Sequence, residues 1–361
     1  MTVPQASAQA CFIRACALDV AVRKPGNVSR ASPGHGMHAG LFIASAHAAA
    51  PALFAPGARV GGRIEAAVAA SWAAAGCNTN LGIVLLCAPV AMAHERLREA
   101  AARVHLRESS ARVRLHAPSA RVRSRESSTR DRLHEPPTRA HLRRAVGEVL
   151  GDLDVADARA AYRAIALANP GGLGAADAQD VRRAPSVGLR AAMALAAERD
   201  LIARQYRDGF ADLFELALPA LPAAFSLHPP ATLRAPDAPP DWSPDSPPDS
   251  PPDARTIAAV QRVWLTLLAA LPDSHIVRKH GAAVAQNVMA AAQDFQTRAL
   301  RGVALDADPE FVSWDETLKA RRINPGTTAD LTVAALLIAG LATEAASEPV
   351  NGLANGPAAE P

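Results

Sequence analysis

The sequence predicts an all-α fold, a single compact multi-helix domain that is interrupted by two low-complexity inserts. Three observations carry this prediction. Ala-rich apolar segments recur at helical spacing, and no alternating run is long enough to form a sheet. Aromatic residues make up 4% of the 361 residues, which favours a core of closely packed aliphatic helices. Two segments of simple composition break the helical pattern and mark the inserts.

Helical patterns cover most of the chain outside these inserts. Several begin at a residue that is suited to capping, such as Asp154, Thr79 and Thr327, and several end at Gly or Asn-Pro. We expect helices near 6–21, 37–54, 61–75, 79–97, 141–150, 155–168, 186–206, 208–221, 254–271, 274–300, 310–320 and 327–345.

The first insert, 97–141, repeats an Arg-rich unit of nine residues such as LRESSARVR. Each unit has too little apolar surface to stack on the next, so we expect this segment to be disordered. A Pro/Asp-rich segment, 236–254, cannot form a helix or a strand and is expected to be an extended linker. The predicted organisation is a helical core in three parts, followed by a disordered tail: 1–96, 142–235, 255–345 and 346–361.

Charge and cysteine content favour a cytoplasmic protein. The formal net charge is +3, and the basic excess lies in the Arg-rich insert. The four cysteines form no Cys-x-x-Cys pair and lie in apolar helical context, which predicts reduced, buried thiols. No signal peptide is recognisable at the N-terminus. The apolar runs 81–93 and 331–342 are too short to span a bilayer, so we expect no association with membranes.

Short polar motifs lie at the junctions between apolar helices. The first turn of a helix exposes unpaired N–H groups and a partial positive charge, which favour an anion such as phosphate. Gly permits close approach of the backbone, while Arg and Lys supply charge. For any single junction an ordinary helix cap is the alternative. The motifs are RKPGNVSR (23–30), GCNTNLG (76–82), ANPGGLG (168–174), RDLIARQYRDGF (199–210), PDSHIVRKHG (272–281) and RRINPGTTADL (321–331).

Other chemistry has weaker support in the sequence. No Walker A loop is present, which excludes a P-loop nucleotide enzyme. His35 and His38 have the spacing of a metal pair, but a polar loop is the better explanation of them. Cys77 is a conceivable nucleophile without an evident His–Asp partner. The Arg-rich insert lacks aromatic residues that stack on bases, so nucleic acid is not an expected partner, although a nucleic-acid-binding adaptor is one alternative function.

Six motifs, taken in chain order, resemble the triphosphoribosyl-dephospho-coenzyme A synthase family: KPGNVSR, NTNLGIVLL, ANPGGLG, DLIARQYRDGF, DSHIVRKHG and NPGTTADL. The resemblance covers most of 8–342 outside the inserts. It implies a helical transferase that moves the triphosphoribosyl group of ATP to the 2′-hydroxyl of 3′-dephospho-coenzyme A with release of adenine. The product is the prosthetic-group precursor of citrate lyase and malonate decarboxylase. Mg²⁺ is expected with the triphosphate.

The chain departs from the better-known members of that family in two places. Where they have a His-x-Asp-Met segment, this chain has HGMHAG (35–40), and their Arg-Gly-Glu-Ala segment is absent. The pattern is typical of a divergent branch. The alternative function is therefore a nucleotide-dependent enzyme of the same fold that acts on another acceptor in methanopterin-type one-carbon cofactor synthesis. A homo-oligomer is an open alternative to a monomer.

The motifs also provide candidate site residues. Asp180 or Asp200 is the candidate base for the attacking hydroxyl, and Asp330 is the candidate ligand of Mg²⁺. Binding of the triphosphate and ribose of ATP is predicted for Lys24, Asn27, Ser29, Asn78, Thr79, Asn80, Arg278, Lys279, Thr327 and Thr328.

Overall fold

A computed structural model describes 3–115, 138–171, 178–223, 225–227 and 252–342. Within these residues it contains fourteen α-helices and no β-strand, which confirms the all-α prediction. The helices are α1 (Val3–Ala21), α2 (Ala39–Leu53), α3 (Val60–Ala75), α4 (Leu81–Leu115), α5 (Arg139–Gly151), α6 (Val155–Ala168), α7 (Leu189–Ala194), α8 (Leu201–Asp208), α9 (Leu218–Ala220), α10 (Ala254–Ala270), α11 (Ser274–His280), α12 (Ala282–Leu300), α13 (Pro309–Ala320) and α14 (Gly326–Leu341).

The main core surrounds α14, whose residues are buried on almost every side. This helix packs against α1, α4 and α10, and the apolar start of α4 is buried equally completely. A helix that is apolar all round needs such an enclosed position. Of the described helices, no single one is long and apolar enough to cross a membrane, and only the pair α10–α11, bent by 54°, passes that test together.

A second, smaller core lies between α10, α12 and α13. It is aromatic where the main core is aliphatic. Phe295 stacks on Trp314 with ring centroids 5.0 Å apart, and Phe311 meets Phe295 edge-on at 5.1 Å. Offset stacked and edge-on rings are the favourable arrangements for aromatic pairs. This core anchors α13, which in turn holds a loop of the candidate site.

The predicted end of the helix near 79–97 was wrong, because α4 continues to Leu115. The first repeat units consist mainly of Ala, Arg, Glu and Leu, which are strong helix formers, and the segment contains no Pro or Gly before Pro118. The rest of the Arg-rich insert, 116–137, lies outside the described residues. The same holds for 228–251, which includes most of the predicted linker, and for the tail 343–361.

Two long helices that the sequence predicted are each broken into two. The pattern at 186–206 forms α7 and α8, because the carboxylate of Asp200 accepts two backbone N–H groups of the following turn and starts a new helix. The pattern at 274–300 forms α11 and α12, which are separated at Gly281 with a φ of 86°. A periodic apolar pattern continues across such breaks, so it conceals them.

Helix caps were predicted with mixed success. Asp154 caps α6 in a full capping box with Asp157, as expected. The predictions for Thr79 and Thr327 were wrong. The first turn of α4 donates a backbone N–H instead to the side chain of Asn78 at 3.2 Å. Thr327 lies inside the first turn of α14, which begins one residue earlier, at Gly326.

Candidate functional site

A cavity of about 640 Å³ lies where α4, α8 and α14 begin. Residues from the first turns of these helices line it, including Gly82, Ile202 and Thr327. Helix N-termini carry partial positive charge, so three of them at one cavity favour a negatively charged ligand. The volume is in the range of pockets that bind nucleotide-sized molecules.

Four cationic side chains line the same cavity: Arg199, Arg278, Lys279 and Arg322. Arg278 donates to the backbone carbonyl of Gly171 at 3.1 Å and lies 3.5 Å from a carboxylate oxygen of Asp200. Lys279 makes no ion pair or hydrogen bond within the described part of the chain. Burial lowers the pKa of the Lys279 ammonium, and the nearby Arg278 adds to this shift. An anionic ligand would therefore be bound favourably beside Lys279.

The two carboxylates that were predicted as the base already have partners. Asp180 forms a bidentate pair with the Arg182 guanidinium, with N–O distances of 3.0 Å, and also accepts its backbone N–H at 2.9 Å. Asp200 uses Oδ1 to cap α8, while Oδ2 lies 3.5 Å from Arg278. Both residues line the cavity. Of their carboxylate oxygens, Oδ2 of Asp200 has the weakest contact, the 3.5 Å approach of Arg278.

Asp330 is the lining carboxylate without a hydrogen bond or ion pair among the described residues. Burial raises its pKa well above the usual range, and the nearby carboxylates of Asp19, Asp273 and Asp200 add to the shift. A Cβ atom at Gly82 would lie 2.0 Å from Oδ2 of Asp330. Only Gly therefore fits at this crossing of α4 and α14, which explains the Gly of the Asn-Thr-Asn-Leu-Gly motif.

The Lys-Pro-Gly loop does not reach the cavity in the way the sequence suggested. Lys24 is fully buried, lies 2.9 Å from Oδ1 of Asp19 and also donates to the Asp19 backbone carbonyl. Ser29 is buried and does not line the cavity, whereas Asn27 does and donates to the side chain of Asn324. Lys24 thus holds Asp19, a lining carboxylate, rather than facing a ligand itself.

Asp315, which the sequence gave no reason to select, holds this loop in place. Its fully buried carboxylate accepts hydrogen bonds from Arg23 at 3.0 Å, the Gly26 backbone at 2.8 Å and Lys319 at 2.9 Å. Gly26 has a φ of 84°, and a Cβ atom there would lie 2.7 Å from the carbonyl oxygen of Ile323. Only Gly can adopt this conformation in the space available.

Nine of the thirteen predicted site residues line the cavity: Asn27, Asn78, Thr79, Asp180, Asp200, Arg278, Lys279, Thr327 and Asp330. The other four do not: Lys24, Ser29, Asn80 and Thr328. Thr328 has a structural task, because its backbone N–H and hydroxyl both donate to the buried carboxylate of Asp273, at 2.7 and 2.8 Å. Asn80 is buried at the start of α4.

Comparison with known proteins identifies the family of this chain. The model of the CitG family, ATP:dephospho-CoA triphosphoribosyl transferase, matches 5–235 and 252–348. The chain belongs to this family. Comparison with curated proteins gave no match. A crystal structure from Archaeoglobus fulgidus, of a protein whose own assignment as a triphosphoribosyl-dephospho-coA synthase is provisional, superposes with a TM-score of 0.52 at 20% identity. The match covers 83% of this chain and 97% of that one, and shows the shared fold.

Family membership makes this chain a transferase and confirms the resemblance of its motifs. The family acts on a nucleotide. The match of the family model omits 236–251, which lie within the predicted linker. The alternative nucleophile Cys77 does not line the cavity, so the structure gives it no contact with a ligand there.

A metal ion on this transferase would depend on the substrate for ligands. Among the described residues no group of three or more His, Cys, Asp or Glu side chains is placed to hold one, and this applies to His35 and His38 as well. Mg²⁺ commonly uses one or two carboxylates together with substrate phosphates and water. Asp19 and Asp330 fit that donor set, because both line the cavity and lie close enough to influence each other electrostatically.

His275 lines the cavity and was not selected from the sequence. Burial, followed by the charges of Lys279 and Arg278, lowers its pKa to about 3. Its imidazole is therefore neutral near pH 7, with one nitrogen that donates and one that accepts. The signal was present in the motif PDSHIVRKHG, where two cations follow the histidine by one helical turn.

Proposed function

We propose that this transferase moves the triphosphoribosyl group of ATP to the 2′-hydroxyl of 3′-dephospho-coenzyme A and releases adenine. One observation supports this above the others. Asp330, whose carboxylate has no partner among the described residues, lines a cavity that also holds four cations and three helix N-termini. Transfer of the triphosphoribosyl group needs this combination, because a carboxylate must hold Mg²⁺ and cations must lie near the triphosphate.

The triphosphate would be bound at the cationic wall. Lys279 and Arg322 lack protein partners for their charge within the described residues, and Arg278 has only a long contact with Asp200. Mg²⁺, when bound through Asp19 and Asp330, would neutralise part of the charge of the triphosphate. The N-terminus of α14 adds backbone N–H donors near Thr327.

The chain's own residues can also serve the reacting centre. Positive charge develops at the anomeric carbon as adenine departs, and an ionised carboxylate that is shielded from water stabilises it strongly. Of the two candidate bases, Asp200 fits better than Asp180, because its Oδ2 has one long contact rather than a bidentate pair. Binding of a phosphate group to Arg278 would release this oxygen to accept the hydroxyl proton.

The test is a reaction of purified protein with ATP, Mg²⁺ and 3′-dephospho-coenzyme A, followed by chromatography for adenine and mass spectrometry of the product. We expect adenine only when the acceptor is present, in amounts equal to the new adduct. If ATP protects the protein against heat but no adenine forms, the acceptor is wrong. A pterin precursor of the methanopterin type is then tested in the same assay, since HGMHAG (35–40) departs from the common family pattern.

A further inference from the structure

Part of the lining of the cavity is apolar and incompletely buried. It is formed by Met37, Phe42, Ile165, Met193 and Leu195, which we call the apolar wall. All except Ile165 keep part of their surface accessible, and Leu195 is 58% exposed. Protein interiors normally cover such side chains, so a row of them along a cavity provides surface for a ligand. Met in particular adapts its shape to flexible ligands.

The apolar residues beside α7 and the cations of α11 belong to separate parts of the fold, although Arg199 follows Leu195 in the same segment of the chain. The segment with Met193 and Leu195 packs on α6 and α8, whereas Arg278 and Lys279 lie on α11, which packs on α12 and α14. Arg278 reaches across the cavity to Asp200 and connects the two sides. A ligand that lies along the whole cavity therefore meets the positive charges of Arg278 and Lys279 as well as apolar surface.

We propose that the apolar wall binds the pantetheine arm of the acceptor and thereby selects a coenzyme A precursor over other ribosyl acceptors. The inference rests on the proposed function and names which part of the acceptor this wall recognises. The acceptor named by the family, dephospho-CoA, combines a charged diphosphate with a long uncharged chain of methyl, methylene and amide groups. An acceptor of this kind thus has groups for both kinds of lining residue, the cations and the apolar wall.

ATP alone does not account for the apolar wall. Its triphosphate and ribose are polar, and its one apolar part is a single flat purine, whereas the apolar wall comprises five side chains. The exposed Leu195 favours a chain that continues to the cavity mouth. Asn169 lines the cavity at the end of α6, and within the part of the chain that the structure describes its side-chain amide has no partner. It is placed to bind an amide group of such an arm.

The test compares two acceptors that differ only in the arm, 3′-dephospho-coenzyme A and the β-methyl ester of ADP. Each is titrated by calorimetry into the full chain that has been saturated with Mg²⁺ and formycin triphosphate, an ATP analogue whose carbon–carbon glycosidic bond cannot be cleaved. We expect dephospho-coenzyme A to bind at least about tenfold more tightly, since several aliphatic groups become buried. Equal affinity for both acceptors would overturn the proposal.

The matched variants are Leu195→Asp and Leu300→Asp, which place the same charge at two exposed leucines. Leu300 ends α12, is 63% exposed and does not line the cavity. Leu195→Asp should abolish the preference for dephospho-coenzyme A and leave the affinity for formycin triphosphate unchanged, whereas Leu300→Asp should keep both. A preference that survives Leu195→Asp contradicts the proposal. A preference without adenine release from ATP would reject the transfer reaction and still support this binding surface.

Discussion

Lys24 and Lys279 were both expected to bind phosphate, and the structure gives them different surroundings. Lys24 is completely buried and paired with Asp19, and it does not line the cavity. Lys279 lines the cavity without a protein partner in the described residues. Both follow the same kind of polar junction in the sequence. The comparison shows that a nearby buried acid, rather than the motif, determines whether a lysine is available to bind phosphate.

The physical reason is the cost of removing a charge from water. A buried ammonium is tolerated only when a carboxylate and further hydrogen bonds compensate for lost hydration. Lys24 has this compensation from Asp19, so its charge is already satisfied in the folded chain. Lys279 is exposed and loses only part of its hydration, but it gains no partner among the described residues, and this partial burial lowers its pKa. A bound anion would supply the missing interaction, which predicts a structural task for Lys24 and a binding task for Lys279.

The largest expected effect is on folding, in Lys24→Ala. The change leaves the carboxylate of Asp19 buried without its ion pair, so the free energy of unfolding should fall by about 3–5 kcal/mol. Urea unfolding followed by circular dichroism measures this. The double variant Lys24→Met with Asp19→Asn removes both charges and should recover much of the loss. A single variant as stable as the wild type would show that the pair has no structural importance.

Lys279→Ala should have the opposite pattern. We expect stability to stay within about 0.5 kcal/mol of wild type, because a partly exposed side chain without partners is lost. The affinity for ATP should fall by about 10- to 100-fold, since a charge-assisted contact to phosphate contributes about 1.5–3 kcal/mol. Calorimetric titration with ATP and Mg²⁺ measures this. Arg301→Ala, at an exposed position outside the cavity, is the control that should bind normally. Unchanged affinity in Lys279→Ala removes this residue from the site.

A smaller effect, on pH dependence, should come from His275 on the same helix as Lys279. Its pKa is about 3 when folded and 6.5 ordinarily, so the unfolded chain binds its proton first as the pH falls. The histidine therefore lowers stability between pH 6.5 and 3, by about 2 kcal/mol from pH 7 to pH 5. Urea unfolding at both pH values should show that His275→Gln lacks this loss. His141 is exposed, so the control variant His141→Gln should lose stability from pH 7 to pH 5 as the wild type does. If His275→Gln loses as much stability as the wild type, His275 is not the cause of the pH dependence.

The fold was predictable because its signals are local. Apolar periodicity indicated the helices, and Asp154 marked a true start, since capping depends on residues three apart. The breaks at Asp200 and Gly281 were missed because the apolar pattern continues through both. Asp followed by Leu-Ile was nevertheless a usable signal at Asp200, which caps the new helix in the manner of Asp154.

The site was predictable only in part, since its decisive contacts are distant in sequence. The motifs predicted that Asn78, Arg278 and Asp330 share one site, and all three line the cavity. They did not indicate that Asp315 holds the Lys-Pro-Gly loop, because no pattern links residues almost 300 positions apart. Nor did they indicate that Lys24 would face Asp19, although the two are one helical turn and a bend apart. The composition of a junction indicates which side chains could bind a ligand. Packing in the folded chain determines which of them remain available to do so.

The most direct test of the central claim, that this cavity is the transferase site, is adenine formation by Asp330→Asn. The substitution keeps the shape of the side chain and resembles the neutral acid that burial favours, so the variant should fold at least as stably as the wild type. We predict that adenine release in the presence of ATP, Mg²⁺ and 3′-dephospho-coenzyme A falls by about 100-fold or more. A stable Asp330→Asn variant that releases adenine at the wild-type rate would contradict the account.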